Sequence, residues 1–354
     1  MMPASEAAKI PRFVIDRRLG NTPRRRLVTE VEELMQIPGQ VRNCVAFVYF
    51  NPQGSGERKP IGTAFFLGVD GFLYCVTAKH LIDKVEQLSS DRKLLLRMNM
   101  RSGGSDIIET NVADWRVHPI DETVDVAALY VDGLAEFAEA AFEHFEASEM
   151  LTDGLRMKLN DRLGEEVFLT GMFFHHMGEH RMLPVIRTGV IAAERDPNEL
   201  VWDDELKAKI DVYLIETRSI GGLSGSPVFF YPGTHRWLRK PDDSPPAFAT
   251  EQHPAAYWLG LIHGHWRQFA GETANIEMNS GMAMVVPAEK VIEVLKGDDF
   301  EKQRAQARIA RRNQYGQVAL DALPHQESES SEGDFDSALR KVSKREPKRE
   351  EPSG

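Results

Sequence analysis

The sequence predicts an all-β fold. Short apolar runs rich in Val, Ile, Phe and Tyr recur along the chain, and turn clusters such as Asn51-Pro52-Gln53-Gly54 separate them. Runs of this length, bounded by turn residues, are typical of β-strands, and their spacing favours a sandwich or barrel over βαβ units. The predicted strands are Val45–Phe50, Thr63–Val69, Phe72–Thr77, Lys93–Met98, Val124–Val131, Glu166–Phe173, Pro184–Ala192, Val212–Thr217, Pro227–Tyr231, Trp258–His263 and Met282–Pro287.

Composition excludes several classes of protein. The chain has 354 residues, 42% hydrophobic and 27% charged, with a net charge of −11. Its length predicts two lobes of roughly 150 residues each. No apolar run approaches the ~18 residues of a membrane helix, and the acidic balance argues against generic nucleic-acid binding. With only Cys44 and Cys75 and no apparent secretory signal near the start, we expect a reduced, cytoplasmic protein without a disulfide scaffold.

The segments outside the strands organise the chain. We expect an N-terminal arm over residues 1–37, a helical connector over 133–163 and a C-terminal helix over Pro287–Leu295, followed by a charged helical extension over 298–324. Residues 325–354 carry almost no apolar side chains and are predicted to be disordered. The first half of this tail is acidic and the second half is basic. The tail is therefore a solubilising segment or a surface for a protein partner.

A glycine-rich loop carries the most informative serine. Gly221-Gly222-Leu223-Ser224-Gly225 lies between two predicted strands. Glycines permit tight backbone conformations that side chains forbid, so the loop can expose the Ser224 hydroxyl. The amides of Gly222 and Ser224 would then bind an oxyanion. An ordinary glycine turn is the alternative interpretation.

A serine nucleophile needs a base, and the base needs an orienting group. His80 follows the predicted strand Phe72–Thr77 and is the candidate base. Asp125 lies among Val, Ala and Leu residues, where an unpaired carboxylate is costly to bury, so it calls for a partner such as His80. The alternatives are a half-buried structural histidine and an aspartate that faces water.

Four motifs give the sequence a family resemblance. They are Gly62-Thr63-Ala64-Phe65-Phe66, Val76-Thr77-Ala78-Lys79-His80, Asp125-Val126-Ala127-Ala128-Leu129 and Gly222-Leu223-Ser224-Gly225-Ser226-Pro227. In this order they resemble the motifs of the chymotrypsin-like (trypsin-fold) serine peptidases, especially the bacterial branch of glutamyl endopeptidases and Deg/HtrA proteases. Leu223 departs from the Asn or Asp usual in that family, which rules out the family's zymogen ion pair.

The resemblance implies a peptidase domain over residues 38–297. Its fold would be two six-stranded antiparallel β-barrels, one over about 41–132 and one over about 164–297. The implied catalytic residues are His80, Asp125 and Ser224, with the Gly222 and Ser224 amides as the oxyanion hole. The implied activity is a serine endopeptidase that acts on polypeptides without a metal or organic cofactor.

The resemblance also indicates a primary specificity pocket. Its residues would be Arg218, Ser219, His263 and Gly264, a set that suits an acidic side chain before the scissile bond. The alternative is a small apolar pocket with Arg218 in solvent.

The sequence has three other interpretations. The main alternative function is a catalytically slow or inactive binding module on the same fold. An α/β-hydrolase is disfavoured because Ser226 occupies the last glycine position of Gly-x-Ser-x-Gly and a strand follows it. The cluster His175-His176-Met177-Gly178-Glu179-His180 lacks metal-ligand spacing on a helix and is expected to be a surface loop.

Overall fold

The protein folds as two β-lobes, which confirms the all-β prediction. A computed structural model describes residues 39–159, 163–204, 206–217, 221–232, 236–238, 247–249, 256–269 and 277–321. The predicted arm over 1–37 and tail over 325–354 lie outside the described residues. Among the described residues, no helix is both long enough and apolar enough to cross a bilayer.

The first lobe is an eight-stranded sheet. Along the main path the strand order is β5-β4-β1-β2-β3-β7-β6, and neighbouring strands are antiparallel, while β8 adds to β2 in parallel. Its elements are α1 (Gly39–Asn43), β1 (Val45–Phe50), β2 (Lys59–Val69), β3 (Phe72–Thr77), α2 (Lys79–Leu88), β4 (Lys93–Asn99), β5 (Ser105–Asn111), β6 (Arg116–Val117), β7 (Ala127–Tyr130) and β8 (Phe145–Glu146).

The second lobe is a closed six-stranded barrel of order β10-β13-β18-β17-β14-β9. Two short hairpins, β11–β12 and β15–β16, extend from it. The elements are α3 (Asp153–Leu159), β9 (Glu166–Gly171), β10 (Val185–Ala193), β11 (Val201–Asp203), β12 (Ala208–Ile210), β13 (Tyr213–Thr217), β14 (Pro227–Phe230), β15 (Arg236–Leu238), β16 (Ala247–Ala249), β17 (Tyr257–Phe269), β18 (Glu277–Pro287), α4 (Ala288–Leu295) and α5 (Asp298–Asp321).

The closed six-stranded barrel beside a second β-lobe is consistent with the two-barrel fold that the family resemblance implies. The first lobe differs from an ideal six-stranded barrel, because it has eight strands and its main path ends at β5 and β6 without pairing them. In the described part of the connector, residues 133–159 and 163, helical structure is confined to two 3₁₀ turns, at Ala135–Phe137 and Ala147–Glu149, and to α3.

Aromatic side chains join the lobes. Phe65 on β2 lies 5.8 Å from Trp258 on β17, and Phe145 lies 5.3 Å from Trp258 and 5.1 Å from Phe229, measured between ring centroids. Trp258 and Phe65 are fully buried. Edge and tilted contacts of this kind add to the burial of large apolar area. They pack the first lobe against the second.

The C-terminal helix α5 packs on the back of the first lobe. The Phe300 ring contacts the Tyr74 ring edge-on, with centroids 5.2 Å apart. The buried Arg304 guanidinium donates to the Tyr74 hydroxyl at 2.9 Å and to the Leu295 carbonyl at 2.6 Å. The predicted charged extension is therefore part of the folded unit over at least its first half.

We expect Phe300→Ala to lower the free energy of unfolding by about 3–5 kcal/mol, because a fully buried ring is replaced by a cavity. Ile309→Ala on the same helix is the control: Ile309 is 61% exposed, so the change should stay within about 0.5 kcal/mol. Urea unfolding of both variants measures this. Equal losses would contradict the packing of α5.

Candidate active site

Strand pairing places Asp125 beside His80. β3 pairs with β7 so that Thr77 lies opposite Ala127, and His80 and Asp125 lie just beyond these paired ends. The Asp125 carboxylate, 5% exposed, accepts the His80 backbone N–H on Oδ1 at 2.8 Å and the His80 Nδ1–H on Oδ2 at 2.8 Å. This pair of bonds fixes the imidazole tautomer, so Nε2 keeps its lone pair.

Ser224 lies in the tight turn between β13 and β14. Gly222 has φ +105° and Gly225 has φ +82°, a region that favours glycine. A Cβ on Gly225 would lie 2.1 Å from the Thr63 carbonyl oxygen, so only glycine fits there. The turn thus needs glycine for both backbone conformation and space.

Thr63 on β2 ties this turn to the first lobe. Its amide donates to the Ser224 carbonyl at 2.9 Å, and its hydroxyl donates to the Gly222 carbonyl at 2.8 Å. The same hydroxyl accepts the Met172 amide at 2.9 Å. Within the described part of the chain, the amides of Gly222 and Ser224 have no hydrogen-bond acceptor. The carbonyls of Gly222 and Ser224 are therefore bonded to Thr63, while the amides of the same two residues are available to a ligand.

His80 and Ser224 line one cleft of about 860 Å³ between the lobes. Gly222, His263 and Gly264 also line it. No hydrogen bond joins the Ser224 and His80 side chains among the described contacts. Catalytic hydrogen bonds often shorten only when substrate binds, so sharing the cleft is the geometry to expect without substrate.

His263 lines the cleft and also contacts Asp125. It occupies a β-bulge of β17, where the register with β18 shifts between Ile262 and Gly264. Its Nδ1 lies 2.5 Å from Asp125 Oδ2, and its Nε2 lies 2.9 Å from Oδ2 of Asp203, at the end of β11. Bulges commonly re-aim a side chain next to a site. Here the bulge points the ring at two buried carboxylates.

Neighbouring charges shift the pKa values of Asp125 and His263 in opposite directions. Burial alone would raise the pKa of Asp125, but the charges and hydrogen bonds of His80 and His263 hold it well below its usual range. Burial alone would lower the pKa of His263, but Asp125 and Asp203 outweigh this and raise it to about 10.

His80, Asp125 and His263 are also close enough together to be considered as metal ligands. Ligands held about 2.1 Å from a tetrahedral zinc ion lie more than about 3 Å from one another. The nitrogen–oxygen separations here are 2.8 and 2.5 Å. Those distances fit hydrogen bonds and leave no room for an ion between the ligands. His175, His176 and His180 lie on an exposed loop, as expected.

The sequence identified most of these residues but missed one. His80, Asp125 and Ser224 line or adjoin one cleft, and Gly264 lines it too, while Arg218 and Ser219 lie outside the described residues. Asp203 was not predicted, because the β11–β12 hairpin is short and polar and carries no motif. Both ring nitrogens of His263 are bonded to carboxylates. His263 therefore has no ring nitrogen left to bind an acidic substrate side chain, which was its predicted role.

No family model matches the chain, and no curated protein matches it by sequence. Among solved structures, the MamO protease domain from Magnetospirillum magneticum (apo form) aligns with a TM-score of 0.42 and 17% identity, covering 73% of this chain and 99% of that one. The serine endoprotease from Yersinia pestis aligns with a TM-score of 0.39 and 14% identity, covering 74% of this chain and 67% of that one. At these levels the likeness says nothing about activity, which has to be argued from the residues.

We expect the free energy of unfolding to fall as pH rises from about 6.5 toward about 10. A histidine pKa raised from about 6.5 in the unfolded chain to about 10 stabilises the fold fully below the lower value and loses that effect through the higher one. On the acid side, the stabilisation from the lowered Asp125 pKa is present above about pH 4 and is lost below it.

Urea unfolding at a series of pH values tests this. Asp203→Asn is the control, because it keeps an acceptor for His263 Nε2 but removes the charge that helps raise the His263 pKa. Its alkaline slope should be smaller, whereas identical slopes would contradict the assignment.

We expect Thr63→Val to lower the free energy of unfolding by about 2–4 kcal/mol, because the Gly222 carbonyl and the Met172 amide lose their buried partner. Thr63→Ser keeps the hydroxyl and loses one buried methyl, so it should cost only about 1 kcal/mol. The two variants differ mainly in the hydrogen bonds. If both lose equal stability, the hydroxyl does not hold the turn.

Proposed function

We propose that this protein is a serine endopeptidase with the triad Ser224, His80 and Asp125. One observation carries the proposal: the buried Asp125 carboxylate bonds His80 Nδ1 and so leaves Nε2 as the basic nitrogen of a ring that lines the same cleft as Ser224. Fixing the tautomer of a histidine beside a serine is the requirement for base-assisted attack.

In the proposed reaction, Ser224 Oγ attacks the scissile carbonyl carbon while His80 Nε2 takes the hydroxyl proton. Asp125 stabilises the imidazolium that forms. His80 then gives that proton to the leaving amine, and the acyl-enzyme is hydrolysed by a water that His80 activates in turn. No metal or cofactor enters any step.

The carbonyl oxygen would gain negative charge next to the Gly222 and Ser224 amides. These donors have no acceptor within the described structure, and Thr63 holds the turn that presents them. Preorganised donors of this kind contribute about 3–4 kcal/mol each to lowering the barrier.

A preference for Glu or Asp before the cut is the finer part of the proposal. Because the His263 nitrogens are bonded to carboxylates, this preference depends on Arg218 and Ser219, while Gly264 leaves the cleft wall open. Cleavage of a peptide library tests it: acidic residues before the cut support it, and enrichment of apolar residues there overturns it. The cytoplasmic location and a partner for the 325–354 tail stay predictions.

A second candidate is a binding module with slow or no turnover. The missing hydrogen bond between the described Ser224 and His80 side chains fits this candidate as well as it fits a peptidase without substrate. A fluorophosphonate probe separates the two, since it labels only a serine whose oxygen is activated.

We expect Ser224→Ala to lower kcat/KM on a peptide substrate by about 10⁴-fold or more, because it removes the nucleophile. It should also abolish fluorophosphonate labelling.

Ser226→Ala is the matched control in the same turn. Its hydroxyl is buried and has no partner among the described atoms, so its loss should leave labelling and turnover unchanged. A folded wild-type protein that neither takes the label nor cleaves peptides would establish the binding module instead.

A further inference from the structure

Asp125 Oδ2 receives two imidazole rings. His80 Nδ1 lies 2.8 Å from it and His263 Nδ1 lies 2.5 Å from it. The two rings are nearly perpendicular, with centroids 5.8 Å apart. One carboxylate oxygen therefore joins the candidate base to a second histidine from the opposite lobe.

Geometry fixes the ionisation of His263. An ionised carboxylate only accepts hydrogen bonds, and each ring nitrogen of His263 lies within 3 Å of a carboxylate oxygen. Both nitrogens must therefore carry protons, which makes the ring a cation. Asp125, Asp203 and His263 are 5%, 3% and 6% exposed, so each of the two carboxylates gains a buried counter-ion from this arrangement.

The hairpin β11–β12 holds Asp203 in place. Asp203 Oδ1 accepts the Leu206 amide at 2.6 Å while Oδ2 faces His263. The hairpin lies between β10 and β13 in the chain, so it belongs to the second lobe. Asp203 thus anchors His263 from the side opposite Asp125.

We propose that Asp203 and His263 are positioning residues. His263 is held as a permanent cation that orients the Asp125 carboxylate and offsets the negative charge of Asp125 next to His80. The consequence for catalysis rests on the proposed peptidase function. The ionisation of His263 does not. The chain Asp203–His263–Asp125–His80 carries one net negative charge while His80 is neutral, and becomes neutral when His80 accepts the serine proton.

Without the His263 cation, two buried carboxylates would act on His80, which would raise its proton affinity. The base would then stay protonated, and inactive, up to a higher pH. The cation therefore offsets one of the two negative charges that act on the candidate base.

Other charged groups surround the ring from each element packed against it. They line the cleft or a small cavity behind His263 and are Lys84, Asp121, Lys207, Asp204, Asp211 and Lys290. Lys207 is paired with Asp204 at 3.8 Å, and Asp211 with Arg195 at 3.7 Å. None of them is recorded in a hydrogen bond to His263, so the direct partners are Asp125 and Asp203.

The first test is NMR of the full chain with ¹⁵N-labelled histidine, assigned by comparison with His263→Gln. At about pH 8 we expect both His263 nitrogens in the protonated range, while an ordinary histidine would be neutral. In Asp203→Asn, His263 should lose its proton at a lower pH than in the wild type. A neutral His263 ring at this pH, or a titration unmoved by Asp203→Asn, would overturn the proposal. Neither outcome depends on whether the protein cleaves peptides.

The second test is the pH profile of kcat/KM. His263→Gln should move the acid limb up by about one pH unit or more. The double variant Asp203→Asn/His263→Gln removes one further negative charge and should move the limb back toward the wild type. If the two residues had only a structural role, both variants would lose activity while the acid limb of the kcat/KM profile stayed at its wild-type pH. That result would overturn the positioning role. A wild type that is inactive while His263 is a cation would sink the peptidase proposal and leave this one standing.

Discussion

The buried carboxylate of Asp125 is the constraint on which the rest of the site depends. A carboxylate at 5% exposure costs several kcal/mol unless donors and counter-charges replace water. Its donors are the His80 amide, the His80 ring and the His263 ring. His80 belongs to the first lobe and His263 to the second. The carboxylate therefore has all of its hydrogen-bond donors only when the two lobes are packed together. The interaction that orients the candidate base thus also holds together the two lobes that form the cleft.

Thr63 makes the second link across the lobes, and it acts on the backbone. By bonding the carbonyls of Gly222 and Ser224, it fixes the direction in which the turn's peptide groups point. The amides that remain without described acceptors belong to Gly222 and Ser224, which both line the cleft. A donor held rigidly by other bonds does not have to reorganise as charge develops on a substrate, which is the basis of electrostatic preorganisation. The buried aromatic contact of Phe65 on β2 with Trp258 on β17 adds an apolar contact between the lobes.

Two irregular features of the second lobe turn a common framework into this particular site. The β-bulge in β17 rotates His263 toward Asp125, and the β11–β12 hairpin brings Asp203 to the far side of the ring. Neither feature is needed for a closed six-stranded barrel. Each places a buried charge next to another of opposite sign, and an isolated member would be destabilising. The two features are therefore stabilising only together, because each supplies the counter-charge of the other.

The sequence alone determined the strand-rich fold and most strand bounds, because these depend on local alternation and turn residues. Short motifs predicted His80, Asp125 and Ser224 as site residues, and in the structure Asp125 bonds His80 while His80 and Ser224 line one cleft. The sequence did not determine the partners of His263, since residues 125, 203 and 263 are far apart in the chain and only the closure of both lobes brings them within hydrogen-bond distance. A one-residue bulge was decisive, because it reverses the face on which a strand residue lies and no local pattern announces it. Tertiary structure likewise decided that β5 and β11–β12 exist, since their polar sequences form strands only by pairing with neighbours that the fold supplies.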